Sequence, residues 1–191
     1  NDNTAVGAFA LTSNTATGNT AFGSDALRQN TSGASNLACG QNTLKVNTTG
    51  ANNTAVGSGS LTANTTGGSN TAVGQGCLSS LTTSTSTTAL GTNAGSAVTT
   101  SGETVIIGAQ CGTGLTTGSS NTLIGSYAGR SVTSGTSNTC VGQDSFRYGT
   151  GGSNTCIGRA AGDISNFTGS NNLILGNTAD PSAADVSNEI T

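Results

Sequence analysis

The 191-residue chain contains no histidine, and its ionisable chemistry rests on eight carboxylates, five basic side chains, five cysteines and two tyrosines. Without imidazole there is no Ser-His-Asp relay, no Cys-His pair and no histidine metal ligand. The acids are Asp2, Asp25, Glu103, Asp144, Asp163, Asp180, Asp185 and Glu189. Hydrolysis of a glycosidic bond by paired carboxylates needs two of them facing one bond. Asp25 and Asp144 hold equivalent places in the repeat described below but lie seven units apart, too far to cooperate within one chain. No Asp recurs at the spacing of calcium-binding rolls, and glycine-rich fragments such as Gly57-Ser58-Gly59 complete no phosphate-binding loop. The expectation is a protein that is not an enzyme, with no cofactor and no metal.

Five other side chains stand out. Tyr127, Arg130, Phe146, Arg147 and Tyr148 interrupt a background of small polar residues within two successive repeats. Rings beside arginines suit contacts to sugar or protein, which makes these five the candidate receptor contacts. Local packing, where the repeat changes type, is the competing explanation.

Charge narrows the partners. The formal net charge is -3, and the five basic residues (Arg28, Lys45, Arg130, Arg147, Arg159) are scattered, so no basic patch is available for nucleic acid or an anionic membrane surface. No apolar run approaches the roughly 18 residues of a membrane span, and the first residues lack the features of a signal peptide, so no membrane insertion is expected. Leu, Ile, Val and Phe are sparse enough to raise disorder, yet disorder also calls for high net charge. The cysteines stand where other repeats have small residues, which predicts buried free thiols. Cys140 and Cys156 occupy one column of adjacent repeats, where in-register parallel neighbours have poor disulfide geometry.

What must position all of these side chains is a repeat. Glycines closing NTAVG-like segments fall at 7, 23, 40, 57, 74, 91, 108, 125, 142, 158 and 176, with steps of 16, then 17 seven times, then 16 and 18. A period of this kind specifies a solenoid in which each unit stacks only on its neighbours. Gly, Thr and Asn crowd every unit and are poor helix formers, so the expected fold class is all-β, a parallel β-solenoid of about eleven 16–18-residue coils. At about 4.8 Å per strand the coils make a rod on the order of 50 Å long.

The columns of the alignment carry the packing. Immediately before the glycine stand Val6, Phe22, Cys39, Val56, Val73, Leu90, Ile107, Ile124, Val141, Ile157 and Leu175. One place earlier are Ala5, Ala21, Ala38, Ala55, Ala72 and Ala89, then Ile106, Leu123, Cys140, Cys156 and Ile174. Successive strand side chains point to opposite faces, so both faces are apolar. One fills the coil, and the other asks for a partner chain. Threonines (Thr4, Thr20, Thr54, Thr71, Thr88, Thr122, Thr139, Thr155) share the face of the Val column. Ordered Thr rows are one solution to ice binding, but these are expected to point inward or into a corner.

Four before the glycine, Asn recurs in nine units, either as a turn former or as a coil-to-coil hydrogen-bond ladder, and both place a corner there. After the glycine a second short segment ends in Leu11, Leu27, Leu44, Leu61 and Leu78, replaced later by Gly95, Gly112, Gly129, Phe146 and Gly162, so the array has two subtypes. NTTG segments such as Asn47 to Gly50 are read as the far corner and third side. The expected organisation is a solenoid array over 1–162 and, over 163–191, a last coil, a cap and a connection to a following segment. Asp163 to Asn166 is an insertion, and Pro181 to Thr191 departs from the repeat. Because Asn1 already lies inside the pattern, the chain is expected to be a piece of something longer.

The NTAVG unit followed by a short xxAL strand, from Asn3 to about Gly158, resembles the head repeats of trimeric autotransporter adhesins, although their unit is usually shorter than 17 residues. That resemblance implies a left-handed parallel β-roll with three chains about a common axis. The closing NNLILGNTADPSAADVSNEIT, Asn171 to Thr191, is similar to the segment of phage tail-fibre proteins that precedes a C-terminal intramolecular chaperone. The chaperone itself is not in this sequence, so no autoprotease residues carry over. Together the resemblances imply a homotrimeric, rod-like protein of a phage tail fibre on the virion surface, contacting a host cell-surface glycan or protein. The alternatives are a bacterial adhesin head at the cell surface and a self-assembling extracellular filament.

Overall fold

The computed structural model describes residues 2–191. Eleven three-residue strands, one per coil, make a single parallel sheet in sequence order: β1 Thr4–Val6, β2 Thr20–Phe22, β3 Leu37–Cys39, β4 Thr54–Val56, β5 Thr71–Val73, β6 Thr88–Leu90, β7 Val105–Ile107, β8 Thr122–Ile124, β9 Thr139–Val141, β10 Thr155–Ile157 and β11 Leu173–Leu175. The described residues contain no helix. Each strand pairs in register with the next, so Ala55 stacks on Ala72 and Val56 on Val73, and every repeat column becomes a physical row along the rod. The β-solenoid expected from the period is the fold observed.

The middle residue of each strand from β2 onward is completely buried, and the residues on either side of it face out. The Val column is therefore the outer face, with Phe22 at 57% and Leu90 at 45% exposure. The Thr column shares it. The expectation that these threonines point inward is thus corrected: inward space is taken by the Ala, Ile, Leu and Cys column between them, and alternation sends its neighbours outward.

The second side of the coil is a run of turns, not a strand. Its residues two and four after the glycine are left-handed in coil after coil, as at Asp25 (φ 59°) and Leu27 (φ 50°), or Tyr127 (φ 60°) and Gly129 (φ 58°). A strand cannot contain such residues, which corrects the expected xxAL strand. Coil-to-coil bonds still form there, for example from Leu44 N to Ser60 O at 3.1 Å. The left-handed position also explains the two subtypes. In coils two to five a buried Leu accepts that conformation and packs beside a small strand Ala, whereas Gly95, Gly112 and Gly129 relieve it in coils six to eight and the strand residue grows to Ile106 in coil seven and Leu123 in coil eight. A Cβ on Gly112 would lie 3.0 Å from Leu123 Cδ1, and one on Gly129 would lie 2.7 Å from Leu123 Cδ2. Large and small residues exchange sides, which keeps the core filled without overlap. The closing glycines have φ of 119° to 139°, and a Cβ at Gly91 would meet the Gly108 carbonyl oxygen at 2.6 Å, so both backbone and space demand glycine there.

The corner asparagines form the ladder and the turn together. Asn19, Asn36, Asn53, Asn70, Asn121, Asn138, Asn154 and Asn172 are buried, and the Oδ1 of each accepts from a backbone amide in the next coil, as from Asn53 N to Asn36 Oδ1 at 2.9 Å. A second ladder runs through Asn14, Asn30, Asn47 and Asn64, with Nδ2-to-Oδ1 bonds of 2.7 to 2.8 Å. It stops where Leu81 takes the next place, and Asn64 Oδ1 is left buried without a partner. Beside it runs a threonine row. The hydroxyls of Thr15, Thr31, Thr48, Thr65, Thr82, Thr99 and Thr116 each donate to the main-chain carbonyl of the Thr one coil on, at 2.8 to 3.2 Å. The stacked corners are thus tied by side chains as well as by backbone.

All five cysteines are free. Cys77, Cys111, Cys140 and Cys156 are core residues, and only Cys39, in the outer column, is partly exposed. Burial pushes the Cys77 and Cys111 thiols up to about 12 and raises that of Cys140 well above its ordinary range.

Winding continues past the expected array. Leu173 N bonds to Glu189 O, Leu175 N to Thr191 O and Thr168 N to Ala184 O, each at 2.8 Å, and Glu189 N donates to Asn172 Oδ1 in the usual corner position. The segment from Pro181 to Thr191, expected to leave the repeat, therefore stacks as a further coil. The ladder needs backbone groups at the right height, not the NTAVG side chains.

Candidate functional site

The five predicted contact residues fall on coils eight and nine, but they do not form one surface. Phe146 is fully buried and makes an edge-to-face contact with Phe167, ring centroids 5.2 Å apart. It occupies the left-handed core position that Leu fills elsewhere, and its ring takes the space of the side chain missing from Gly149. Phe146 is accordingly removed from the surface candidates: small Cys140 and Cys156 on the strand side leave room for a large inward ring.

Tyr127 and the two arginines pack on one another. Arg130 and Arg147 guanidinium carbons each lie 5.5 Å from the Tyr127 ring centroid. Arg147 also sits 3.2 Å from Asp144 Oδ1 through Nη1. The same device appears at the other end of the rod, where Arg28 lies 5.2 Å from the Phe9 ring and 3.2 Å from Asp25. In both places a ring and an Asp hold equivalent left-handed positions in adjacent coils, with the Arg three residues after the Asp. This accounts for the shared column of Asp25 and Asp144 as partners of ion pairs. Both pairs are half-buried near the surface, where an ion pair contributes on the order of 1 kcal/mol. They hold the second side of the coil.

Tyr148 remains. It is 38% exposed, braced by Arg147 at 5.0 Å from its ring centroid. It lines a groove of about 420 Å³ together with Ser131, Thr150, Ser165, Asn166 and Thr168. The groove arises from two irregularities in the period. Coil nine reaches its corner early, with Thr150 followed by Asn154 where Thr133 is followed by Asn138. Coil ten then spends extra residues between Gly162 and Phe167, and the turn at Ser165 and Asn166 stands beside Tyr148. Asn166 is left-handed at φ 62° and exposed. None of the lining residues belongs to a strand, so the groove is separate from the outer face of the sheet. The lining is one aromatic ring, four hydroxyls and one amide, without a charged side chain.

Next to the groove lies an acid cluster that the sequence columns did not show. Burial raises the Asp163 carboxyl to about 6; Arg147 opposes the shift, and Asp144 and Asp180 add to it. Asp163 Oδ1 is shut off from solvent without a hydrogen-bond partner. The groove itself had a sequence signal in the 16-then-18 steps around Gly158. Comparison of the chain with protein-family models, with curated proteins and with solved structures gives no match.

Proposed function

We propose that this chain is a non-catalytic, rod-forming and adhesive segment of a phage tail fibre, exposed on the virion surface and assembled as a homotrimer through the outer face of its sheet. The observation that carries the assembly is the outward apolar column, which runs unbroken from Val6 to Leu175. Eleven strands at about 4.8 Å spacing and about 10 Å of strand width give a face of roughly 500 Å² in projection. The unbroken apolar row fills about half of that face and the largely threonine row the rest, and the whole face is of the order of the roughly 800 Å² that each partner contributes to a stable interface. Burying it against equivalent faces of two further chains leaves the polar turns and corners of the coil in solvent. The resemblance of the NTAVG unit to trimeric adhesin heads, and of the closing segment to tail fibres, supports the same arrangement. A bacterial adhesin head uses the same geometry and is the alternative; a membrane anchor in the flanking sequence, in place of a chaperone, would favour it.

Mass in solution tests the proposal. Sedimentation equilibrium is expected to give three times the 18.3 kDa of the chain. Val56→Asp with Val73→Asp, which buries charge in the proposed interface, is expected to give the single chain. A monomeric wild type overturns the trimer, and an open-ended polymer favours a filament. The outward Thr column also supports a second reading, ice binding, though the uneven heights of Phe22, Leu37 and Leu90 on that face weigh against a lattice match. Thermal hysteresis in a freezing assay would transfer the strand face to that role.

A further inference from the structure

We infer that the groove beside Tyr148 is a binding site for a neutral saccharide, one or two sugar units deep. The inference deepens the adhesive reading above by naming the chemistry of the ligand, and it rests on that reading only for its biological setting. Three observations carry it.

The groove's volume of about 420 Å³ lies within the range of roughly 300–1,000 Å³ typical of small-ligand sites. Its lining pairs one partly exposed ring with Ser131, Thr150, Ser165 and Thr168 hydroxyls and the Asn166 amide. A pyranose presents axial C–H groups on one face and hydroxyls around its edge. The first suit an aromatic ring, and the second suit side chains that both donate and accept hydrogen bonds. The absence of charge from the lining selects against an anionic sugar. Arg147, next to Tyr148 in sequence, is held between the Tyr127 and Tyr148 rings and against Asp144.

The second observation is rigidity. Arg147 braces the Tyr148 ring, and Thr150 N is fixed to Phe167 O at 2.8 Å. Preorganised side chains lose little entropy on binding. Third, the groove exists only where the repeat breaks: a shortened corner followed by a lengthened one. Seventeen residues earlier, at Ser131, the same column offers only a small side chain, and coils two to eight have no equivalent of the Ser165–Asn166 turn. The sites of three chains packed through their sheets would all remain open to solvent.

Saturation-transfer NMR on the intact protein tests this with D-glucose, D-galactose and N-acetyl-D-glucosamine at millimolar concentration, and with N-acetylneuraminic acid as the anionic comparison. At least one neutral sugar is expected to receive saturation at its ring protons. Tyr148→Ala is expected to reduce affinity tenfold or more, Asn166→Ala threefold or more, and Phe9→Ala, on the exposed ring at the other end of the rod, not at all. Asn166 lies on an exposed turn, so its variant keeps the test in force if Tyr148→Ala fails to fold. Absence of transfer to all three neutral sugars overturns the inference. So does equal binding by both groove variants and wild type, or stronger transfer to N-acetylneuraminic acid that Arg130→Ala abolishes. Mass measured on the same samples separates the two proposals: a trimer that binds no sugar overturns only the groove, and a monomer that binds sugar overturns only the assembly.

Discussion

Replacing Asn53 probes the corner ladder inside its first run, with ladder partners on both sides. Asn53 Oδ1 is the partner of Asn70 N, at 3.0 Å, and Asn53 Nδ2 donates to Asn36 Oδ1 at 3.1 Å and to Gly67 O at 2.9 Å. In Asn53→Ala two of the three bereft groups keep a second partner: Gly67 O still accepts from Asn64 Nδ2, and Asn36 Oδ1 still accepts from Asn53 N. Asn70 N alone is left buried and unpaired. An orphaned buried amide costs about 1–3 kcal/mol and each of the two other lost bonds about 0.5–1.5 kcal/mol, so the substitution should cost about 2–6 kcal/mol. Asn53→Thr should cost less. Native Thr87 and Thr104 hold the same position, where Thr87 Oγ1 donates to Ser101 O at 3.0 Å and Thr104 Oγ1 lies 3.5 Å from Asn121 N, a weak version of both bonds. Because each coil contacts only its neighbours, the loss should be local. Denaturant unfolding gives the total, and hydrogen exchange of the Asn70 amide gives the site, with acceleration of at least tenfold expected per 1.4 kcal/mol lost. Equal costs for Ala and Thr, or an Asn70 amide that exchanges as in the wild type, would refute the ladder as a source of stability.

Gly112→Leu should destabilise by about 1–3 kcal/mol through overpacking against Leu123 and Ile106, and adding Leu123→Ala should recover part of it, which a thermal double-mutant cycle reads as a favourable coupling. Asp163 has a folded pKa near 6, above its ordinary 3.8, so the folded state binds its proton more tightly, and stability should fall as pH rises from about 4 to about 6 and then level off. Asp163→Asn should flatten the melting temperature across that window, whereas Glu189 is shifted the opposite way, chiefly by the Ser182 amide. Cys77, Cys111, Cys140 and Cys156 should resist a maleimide in the native protein and react on unfolding, and prompt labelling of any of them would contradict the packed core.

Much of the fold was legible because a period of 17 makes each column a physical row. Two apolar columns on opposite faces of one strand and the Asn corner follow from alternation and stacking, whereas which of the two columns faces out does not. What the columns did not disclose was backbone sign. Leu44 and Leu61 look like strand residues until their positive φ places them in turns, and only the later Gly95, Gly112 and Gly129 hint at that conformation. The direction of the threonines is hidden in the sequence because the two apolar columns compete for the interior, and the smaller Ala column takes it by packing against the left-handed Leu. Phe146 looked like a surface ring because its neighbours are Arg147 and Tyr148, yet its column is the Leu column. The last coil was hidden for the opposite reason: Ala183 to Thr191 lacks the side-chain signature while keeping the backbone ladder. The groove depended on two irregular steps in the period, visible as lengths but not as a shape.

The central claim, that copies of this chain pack through the outer face of the sheet, is most directly tested at Cys39. It stands in the outward column, and it is the one cysteine of the five outside the core. In an assembly with rotational symmetry about an axis along the rod, equivalent residues lie at equal height, so Cys39 of one copy faces Cys39 of the next. A short bifunctional maleimide should then give a covalent two-chain product that disappears in Cys39→Ser. A Cys39 that reacts as fast as a free thiol while yielding only single chains would contradict the assembly.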